Sequence, residues 1–540
     1  MLSSNPTSES VVDPLAPLEQ LAQLLLGTMI HVVLGLSIGM IVARLMRNRH
    51  LHWSWAALGV ALAVLVRPTF AGPTSTLGMA ALGATIWGRR WHREDIEAGS
   101  DLADIAAHRR GPLDVLGTSI RGAVQRRRKV RGVDAWNRGD QLTLGQDETR
   151  RKVSIPFGGA SGGTHTLVVG ATGSGKTVTQ TWMAVRAIEK GMGAIVVDPK
   201  GDHHMRRDLS RAARAAGRAF IEWTPGGASV YNPYARGSET EIADKVLAGE
   251  RFTEPHYLRQ AQRYLGHVVR AMRSSGLEVS LRGIVHHMDP ERLECLVRSL
   301  PEGESESTHA YLDSLTGRQQ ADLAGVRDRL AILSESDVGP WLDPETLDAE
   351  RFDLLEAVRA RAVVYFDLES DSRPLLTQML GAAIVQDLQT TVAALQGCPT
   401  PTLVVIDEFS AVAAEQVVRL FGRARSAGFN LLLGTQELSD LRLPGRERML
   451  ERVMGNLSVL IAHRQVVPES AELIASLAGT KGAWRISWHS DGRTTRTRIR
   501  EGMLDANEVV SLGVGRAAVI VLADRGGVRF TRVFSAARDR

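Results

Sequence analysis

The 540-residue chain contains only two cysteines, Cys295 and Cys398, too few for a disulfide framework or a zinc cluster. Lysine is also scarce, since seven of the 65 basic residues are lysine and the others are arginine. The formal net charge of +5 is too small, on a chain of this length, to indicate nucleic-acid binding by itself. What the sequence does have is 44% hydrophobic and 23% charged residues, which indicates a globular protein rather than a disordered one.

The longest hydrophobic run lies near the N-terminus. Residues 21–45 carry no charge before Arg44, and they exceed the roughly 20 residues that a bilayer core requires. Two further runs, 52–67 and 70–88, are shorter or only mildly hydrophobic. Together they predict a transmembrane region over 21–88 with about three helices.

The distribution of arginine predicts how this region is oriented. Residues 1–20 contain no basic side chain, whereas arginines follow the first run and the last one. The positive-inside rule therefore predicts an extracytoplasmic N-terminus, 1–20, and a multi-pass protein of the inner (cytoplasmic) membrane with its larger part in the cytoplasm. His31, inside the first run, is either a proton-relay residue or a polar group that packs between helices.

Residues 89–152 form a basic juxtamembrane segment with 15 basic and 10 acidic residues. Such a segment is able to bind anionic lipid or DNA phosphates, or to act as a solvated anchor on the cytoplasmic side. The sequence leaves these three interpretations open.

A nucleotide-binding motif follows a short apolar strand at 167–169. It comprises Gly170, Ala171, Thr172, Gly173, Ser174, Gly175, Lys176 and Thr177, and has the G-x4-G-K-[ST] pattern of a phosphate-binding loop. The glycines let backbone N–H groups face the phosphates of ATP. The lysine supplies a charge at the β- and γ-phosphates, and the Thr177 hydroxyl supplies a ligand for Mg²⁺.

A second apolar strand, 402–406, ends in Asp407 and Glu408. Asp407 is expected to hold Mg²⁺, and Glu408 to act as the general base that activates water. The alternative is that the two acidic residues only cap the helix that follows.

Two further strand ends are candidate parts of the site. The strand 430–436 ends in Gln436, which either senses the γ-phosphate or forms a turn. The loop before it carries Arg423 and Arg425, and we expect Arg425 to act as an arginine finger that reaches a neighbouring subunit's nucleotide. The strand 194–198 runs into Asp198-Pro-Lys200-Gly, at the edge where open α/β sheets bind ligands.

The order of these features resembles that of the type IV coupling proteins, the conjugative DNA-transfer ATPases related to FtsK-HerA DNA pumps. The resemblance rests on GATGSGKT, VVDPKGD, YNPY (231–234), VVIDEF and LLLGTQ over about 160–540, and on the N-terminal hydrophobic layout. Members typically have two membrane helices around a periplasmic segment. The three spans predicted here depart from that pattern, which puts docking to a standard secretion channel in doubt.

The motifs and the resemblance predict an α/β P-loop NTPase, a RecA-like motor, with an inserted all-α domain and N-terminal transmembrane helices. The motor occupies 153–237 and 341–540, and the helical periodicity of 238–340 predicts the all-α domain. This insertion either receives cargo, as the resemblance implies, or is purely structural. Residues 485–500 predict a hairpin turning at Asp491-Gly492, whose arginines would bind a phosphate backbone or protect an exposed strand edge.

The resemblance implies a ring-forming ATPase, probably written as a homo-hexamer, that uses ATP and Mg²⁺ to move DNA in conjugation and type IV secretion. Its partners would be a relaxase-bound single strand, other relaxosome proteins and secretion-channel proteins. Two alternatives stay open at this point. One is an ATPase that threads protein substrates, and the other is a docking receptor that uses ATP only to assemble.

Overall fold

The computed structural model describes residues 16–48, 52–59, 73–97, 137–138, 140–158, 163–250, 252, 254–370, 372–412, 414–442, 448–488, 494–522 and 527–537. They belong to two compact units. The first contains the N-terminal helices and residues 480–502, and the second contains residues 130–479 and 503–540. Each unit is described by itself.

The described helices are α1 (Ala16–Asn48), α2 (Pro73–Glu97), α3 (Lys176–Glu189), α4 (His203–Ala215), α5 (Glu239–Leu247), α6 (Pro255–Ser274), α7 (Leu281–His287), α8 (Pro290–Arg298), α9 (Glu302–Asp313), α10 (Gly317–Ser334), α11 (Leu354–Arg359), α12 (Pro374–Ala394), α13 (Phe409–Val412), α14 (Ala414–Ala424), α15 (Met449–Met454), α16 (Pro468–Ala478) and α17 (Ala506–Val510). Short 3₁₀ helices occupy Gly339–Leu342 and Ser439–Arg442.

The described strands are β1 (Asn137–Arg138), β2 (Gln141–Gln146), β3 (Lys152–Pro156), β4 (Thr166–Val169), β5 (Gly193–Asp198), β6 (Phe220–Trp223), β7 (Ser229–Tyr231), β8 (Glu350–Phe352), β9 (Val363–Asp367), β10 (Thr402–Ile406), β11 (Phe429–Thr435), β12 (Val459–Ala462), β13 (Thr480–Trp488), β14 (Thr494–Gly502), β15 (Arg516–Val521) and β16 (Val528–Val533).

In the first unit, α1 packs along α2 at glycines. A Cβ atom on Gly39 would lie within 3 Å of the backbone nitrogen of Ala84, and one on Gly35 would lie 2.7 Å from the Thr76 carbonyl oxygen. Such close approach of two backbones is typical of small-xxx-small contacts between membrane helices. His31 Nδ1 lies 3.0 Å from the Thr76 hydroxyl, which gives this histidine a packing role between the helices.

Within the described residues, one segment, Leu26–Arg47 of α1, is long and apolar enough to span a membrane. Many of its apolar side chains are exposed, among them Leu26, Met29 and Val33. Of the other predicted spans, 52–67 lies partly outside the described residues, and most of 70–88 falls within α2. The number of spans therefore stays a prediction.

The first unit also contains the antiparallel pair β13–β14, in register from Thr480 opposite Gly502 to Trp488 opposite Thr494. The predicted hairpin is therefore confirmed, and it is longer at both ends than the sequence suggested. The predicted turn at Asp491-Gly492 lies outside the described residues.

The second unit is built on a sheet with the strand order β1-β2-β16-β15-β12-β4-β11-β10-β5-β9-β6, in which β3 also pairs with β2. From β12 to β6 neighbouring strands are parallel, and from β12 through β15, β16 and β2 they are antiparallel. Strands β4, β10 and β11 are completely buried, as continuous apolar runs are when a parallel sheet is covered on both faces.

Alternate residues of the central strands enter two different cores. Val404 and Ile406 face the core that also contains α12, α14 and the helical segment. Leu403 and Val405 face the core beneath α3 and α4, where Trp182 and Leu209 are fully buried. The period-2 alternation of side chains thus places a helical layer on each face of the sheet.

Residues 239–334 fold as the six helices α5 to α10. The short parallel pair β7–β8 lies at the two ends of this segment, with Ser229 opposite Glu350 and Tyr231 opposite Phe352. Apolar residues of α6, such as Tyr264 and Val268, belong to the same core as β10. The helical segment therefore packs directly on the sheet that carries the strand-end motifs.

Candidate nucleotide-binding site

The phosphate-loop motif lies between β4 and α3, at the carboxyl end of the parallel strands. Gly173 and Gly175 have φ values of +74° and +110°, a region that glycine enters without steric cost. Gly170 permits a close approach, because a Cβ atom there would lie 2.7 Å from the Cβ of His463. The loop is therefore shaped by glycines, and Lys176 and Thr177 lie in the first turn of the helix it leads into.

Three nitrogen donors converge on one oxygen of Glu408. Glu408 Oε1 lies 2.6 Å from Lys176 Nζ, 3.1 Å from Lys200 Nζ and 2.9 Å from Gln436 Nε2. These residues come from α3 and from the ends of β5 and β11, so the strand order assembles them. Thr172 extends the network by donating to Gln436 Oε1 at 3.3 Å. The structure thus brings together Lys176, Glu408 and Gln436, as the strand-end argument predicted.

The two acidic residues of the site differ electrostatically. Burial raises the pKa of Asp407 above its ordinary value, although the nearby Lys176 charge opposes this. Burial also acts to raise the pKa of Glu408, but the Lys176 charge and the hydrogen bonds from Lys176 and Gln436 outweigh it, so its pKa lies below the ordinary value. Glu408 is therefore held as a carboxylate, which is the form a general base needs.

Thr177 and Asp407 supply the hydroxyl and carboxylate oxygens that were predicted as metal ligands. Asp407 Oδ1 accepts a hydrogen bond from Gln180 at 3.0 Å and lies 3.6 Å from Lys176 Nζ. Hydroxyl and carboxylate oxygens are the donors that Mg²⁺ prefers. The donor set at this edge therefore fits Mg²⁺ accompanied by a phosphate-containing ligand.

The turn after β5 has its own hydrogen-bond network. Asp198 accepts from the backbone nitrogens of Lys200 and Asp202 at 2.9 and 2.7 Å, and from the Tyr365 hydroxyl at 2.6 Å. Burial, together with the Asp198 charge, raises the pKa of Tyr365, so the phenol remains a donor. The sequence indicated a functional edge here, but it did not assign Lys200 to Glu408.

Two residues behind the phosphate loop were not predicted. His463 follows β12 and is fully buried, with Nε2 at 2.8 Å from the Thr179 hydroxyl and Nδ1 at 3.0 Å from the Arg516 carbonyl oxygen. Gln180 lies one helical turn after Lys176 and contacts Asp407. The position of His463 at the end of an apolar strand was a signal of the same kind as those of Asp407 and Gln436.

Arg425 does not join this cluster within the single chain. It is exposed, and it lies in the loop before β11, near Gly163, which precedes β4. These positions are at the amino ends of the parallel strands, whereas the phosphate loop is at the carboxyl ends. The role of Arg425 in a neighbouring subunit stays a prediction, as does that of the exposed Arg423.

Two family profiles match the second unit. The central domain of the HerA helicase matches residues 147–370, and the TraM recognition site of TraD and TraG matches residues 401–512. The DotL type 4 coupling protein of Legionella pneumophila subsp. pneumophila (strain Philadelphia 1) is 23% identical over 354 residues, covering 53% of this chain and 45% of DotL. The chain belongs to the type IV coupling protein family. The match spans somewhat less than half the length of DotL.

Solved structures of the plasmid coupling protein TrwB share the fold. The TrwB complex with ADP and Mg²⁺ has a TM-score of 0.56 and 18% identity, covering 71% of this chain and 88% of that one. The TrwB complex with the non-hydrolysable ATP analogue ADPNP has a TM-score of 0.56 and 17% identity, covering 78% and 94%. The predicted fold, a P-loop ATPase domain with a mixed α/β architecture, is confirmed for this coupling-protein chain.

Proposed function

We propose that this chain is a membrane-anchored ATPase that couples ATP hydrolysis to the movement of DNA in conjugation or type IV secretion. The single observation that carries the proposal is the convergence of Lys176, Lys200 and Gln436 on Glu408 Oε1, at the carboxyl end of the parallel sheet. It joins the phosphate-loop lysine to a carboxylate that is ionised and positioned to activate water.

ATP and Mg²⁺ are the proposed ligands. The backbone of Gly170–Thr177 and the Lys176 ammonium would hold the phosphates, and Thr177 and Asp407 would hold the metal. The metal would neutralise charge that develops on the transferred phosphoryl group. The Glu408 carboxylate would accept a proton from the attacking water. The amide of Gln436, which contacts both Glu408 and Thr172, would report the occupancy of the site to the rest of β11.

The proposed site extends along a groove of about 880 Å³ beside the phosphate loop, with Arg516 and the 147–151 turn in its lining. The groove adjoins the loop, because the Gly515 nitrogen donates to the Ser174 carbonyl oxygen at 2.9 Å. Arg516 also contacts Glu148 at 3.2 Å. This space is adequate for the remainder of a nucleotide beyond its phosphates.

The exposed apolar surface of α1 supports the proposed membrane anchor, and the close packing of α2 along it supports a multi-pass arrangement. For the working assembly we propose a homo-hexamer in which Arg425 acts on a neighbouring subunit. The proposed cargo is relaxase-bound single-stranded DNA, delivered by relaxosome proteins to a secretion channel. The match to the TraM recognition site of TraD and TraG supports contact with a relaxosome component.

The test is ATP hydrolysis by the detergent-solubilised full chain, with and without single-stranded DNA. We expect hydrolysis that DNA stimulates, loss of nucleotide binding in Lys176→Ala, and retained binding without turnover in Glu408→Gln. Lys481→Ala, which changes an exposed lysine of the hairpin, is the matched control. A Lys176→Ala variant as active as the parent would refute the ATPase, and stimulation by unfolded protein but never by DNA would instead favour a protein-threading ATPase.

A further inference from the structure

Lys200 contacts the proposed general base from outside the phosphate loop. Its Nζ lies 3.1 Å from Glu408 Oε1, and its side chain is 45% exposed, whereas that of Glu408 is 10% exposed. The lysine belongs to the turn after β5, and Glu408 follows the neighbouring strand β10, which pairs with β5 in parallel. Neighbouring parallel strands thus bring the two side chains to the same edge.

The turn that carries Lys200 is held in one conformation. The Asp198 carboxylate binds the backbone nitrogens on both sides of the bend, those of Lys200 and Asp202. Gly201 has φ +72°, and a Cβ atom there would lie 2.5 Å from Asp367 Oδ1. On the other side, Ser370 donates its backbone N–H to the Pro199 carbonyl oxygen at 2.6 Å. The direction of the lysine is therefore set by the buried end of the sheet.

Glu408 has a backbone conformation that needs such support. Its φ of +45° lies in the left-handed region, which non-glycine residues seldom occupy and which costs free energy on the order of 1 kcal/mol or more. That conformation directs the carboxylate toward the phosphate loop, where all three of its donors bind Oε1. Oε2, to which no described residue donates, is left for the proton of the attacking water.

The three donors are not equivalent. Under the proposed function the Lys176 ammonium is assigned to phosphate oxygens, so it is not a constant partner of the carboxylate. Gln436 is uncharged and shares its amide with Thr172. Lys200 is the cation that the fold supplies to Glu408 independently of the phosphate loop.

We propose that Lys200 is a positioning residue that fixes the Glu408 carboxylate through Oε1 and so orients Oε2 toward the attacking water. This inference rests on the proposed ATPase function and adds to it a residue outside the nucleotide-binding motifs. It predicts a defect in turnover without a defect in nucleotide binding.

The test compares Lys200→Met, Lys200→Arg and the exposed-site control Lys481→Met in the full chain. We expect Lys200→Met to lower kcat about 10-fold or more, a part of the 10²–10⁴-fold contribution of a general base. KM, the affinity for a fluorescent ATP analogue and the Tm should stay near the parent values. Lys200→Arg, which keeps a cationic donor, should recover most of kcat, and Lys481→Met should match the parent.

Three results would overturn the proposal. They are a parent-like kcat in Lys200→Met, a loss of ATP-analogue affinity that accounts for its defect, and a failure of Lys200→Arg to exceed Lys200→Met. The affinity measurement is repeated in the Glu408→Gln background, where adding Lys200→Met should change nothing. An inactive parent chain would count against the ATPase function itself, which separates that failure from the failure of Lys200 as a positioning residue.

Discussion

The Lys245 ammonium lies 2.6 Å from Asp387 Oδ1, and both side chains are buried. The pair joins α5 of the helical segment to α12, which packs on the sheet. Lys245 also donates to the carbonyl oxygens of Pro233 and Arg236, and the Tyr231 hydroxyl donates to Asp387 Oδ2 at 2.8 Å. The YNPY sequence at 231–234 therefore has a structural role: its tyrosine and its turn satisfy a buried ion pair.

Removing one partner of this pair should destabilise the protein strongly. Lys245→Met leaves the Asp387 carboxylate buried without its cation, which costs about 3–5 kcal/mol in comparable cases. We expect a lower Tm in differential scanning fluorimetry of the detergent-solubilised chain. The double variant Lys245→Met/Asp387→Asn, which removes both charges, should recover part of the loss. A Tm for Lys245→Met equal to that of Lys481→Met would contradict this account.

His463 should make the protein sensitive to acid. Burial, with a further contribution from the Lys176 charge, lowers the pKa of His463 to about 4 against the opposing effect of the Arg516 carbonyl. The unfolded imidazole has a pKa of about 6.5, so as the pH falls the unfolded state binds the proton first. The stability that neutral His463 contributes is thus present above about pH 6.5 and is lost as the pH falls toward 4.

The measurement for His463 is the Tm at pH 7.5 and pH 5.0. His463→Gln cannot titrate, so its Tm should fall less between the two values than that of the parent, although its Tm at pH 7.5 should be lower. His165 and His267, whose pKa values burial also lowers to about 4, will keep part of the dependence in the variant. His204→Gln, at an exposed position, should reproduce the parent curve, and an unaltered pH dependence in His463→Gln would refute the assignment.

The nucleotide site was largely predictable because its residues follow apolar strands. Asp407, Gln436 and Lys200 all come at or just after the ends of buried runs, and parallel strands place their carboxyl ends at one edge. A phosphate-loop motif needs only local sequence, since its glycines and its helix are contiguous. The parallel pairing of β10 with β11, expected from the sequence, is confirmed.

What the sequence did not reveal depends on contacts between distant segments. Thr179 and His463 are 284 positions apart, and Lys245 and Asp387 are 142 apart, so no local pattern pairs them. The segment boundary expected between residues 152 and 153 falls inside the strand β3, which pairs with β2, and β2 in turn pairs with β16. The short strand β2 is flanked by polar residues, and its place in the sheet is decided by a partner near residue 532.

Gly39 should be essential to the packing of α1 on α2. A side chain at this position would collide with the backbone around Ala80 and Ala84, so Gly39→Ile should force the helices apart. The expected result is a lower Tm of the first unit in detergent, measured through tryptophan fluorescence of Trp87 and Trp91. Gly27→Ile is the matched control, because a Cβ atom at Gly27 has nothing within 4 Å. Equal effects of the two substitutions would show that helix propensity, not packing, is responsible.

The β13–β14 hairpin should contribute to DNA binding through Arg498 and Arg500. Arg498 lies opposite Trp484 and Arg500 opposite Gly482, and since side chains alternate along a strand, the two arginines share one face. Both are exposed. If this face binds a phosphate backbone, Arg498→Gln/Arg500→Gln should weaken binding of single-stranded DNA and reduce the salt dependence, the slope of log K against log[salt], by about 1 to 2. Arg259→Gln/Arg318→Gln removes the same charge from exposed positions in the helical segment. An equal change of slope in both double variants would mean that only net charge matters, and an unchanged slope in the hairpin variant would favour the other interpretation of these arginines, protection of an exposed strand edge.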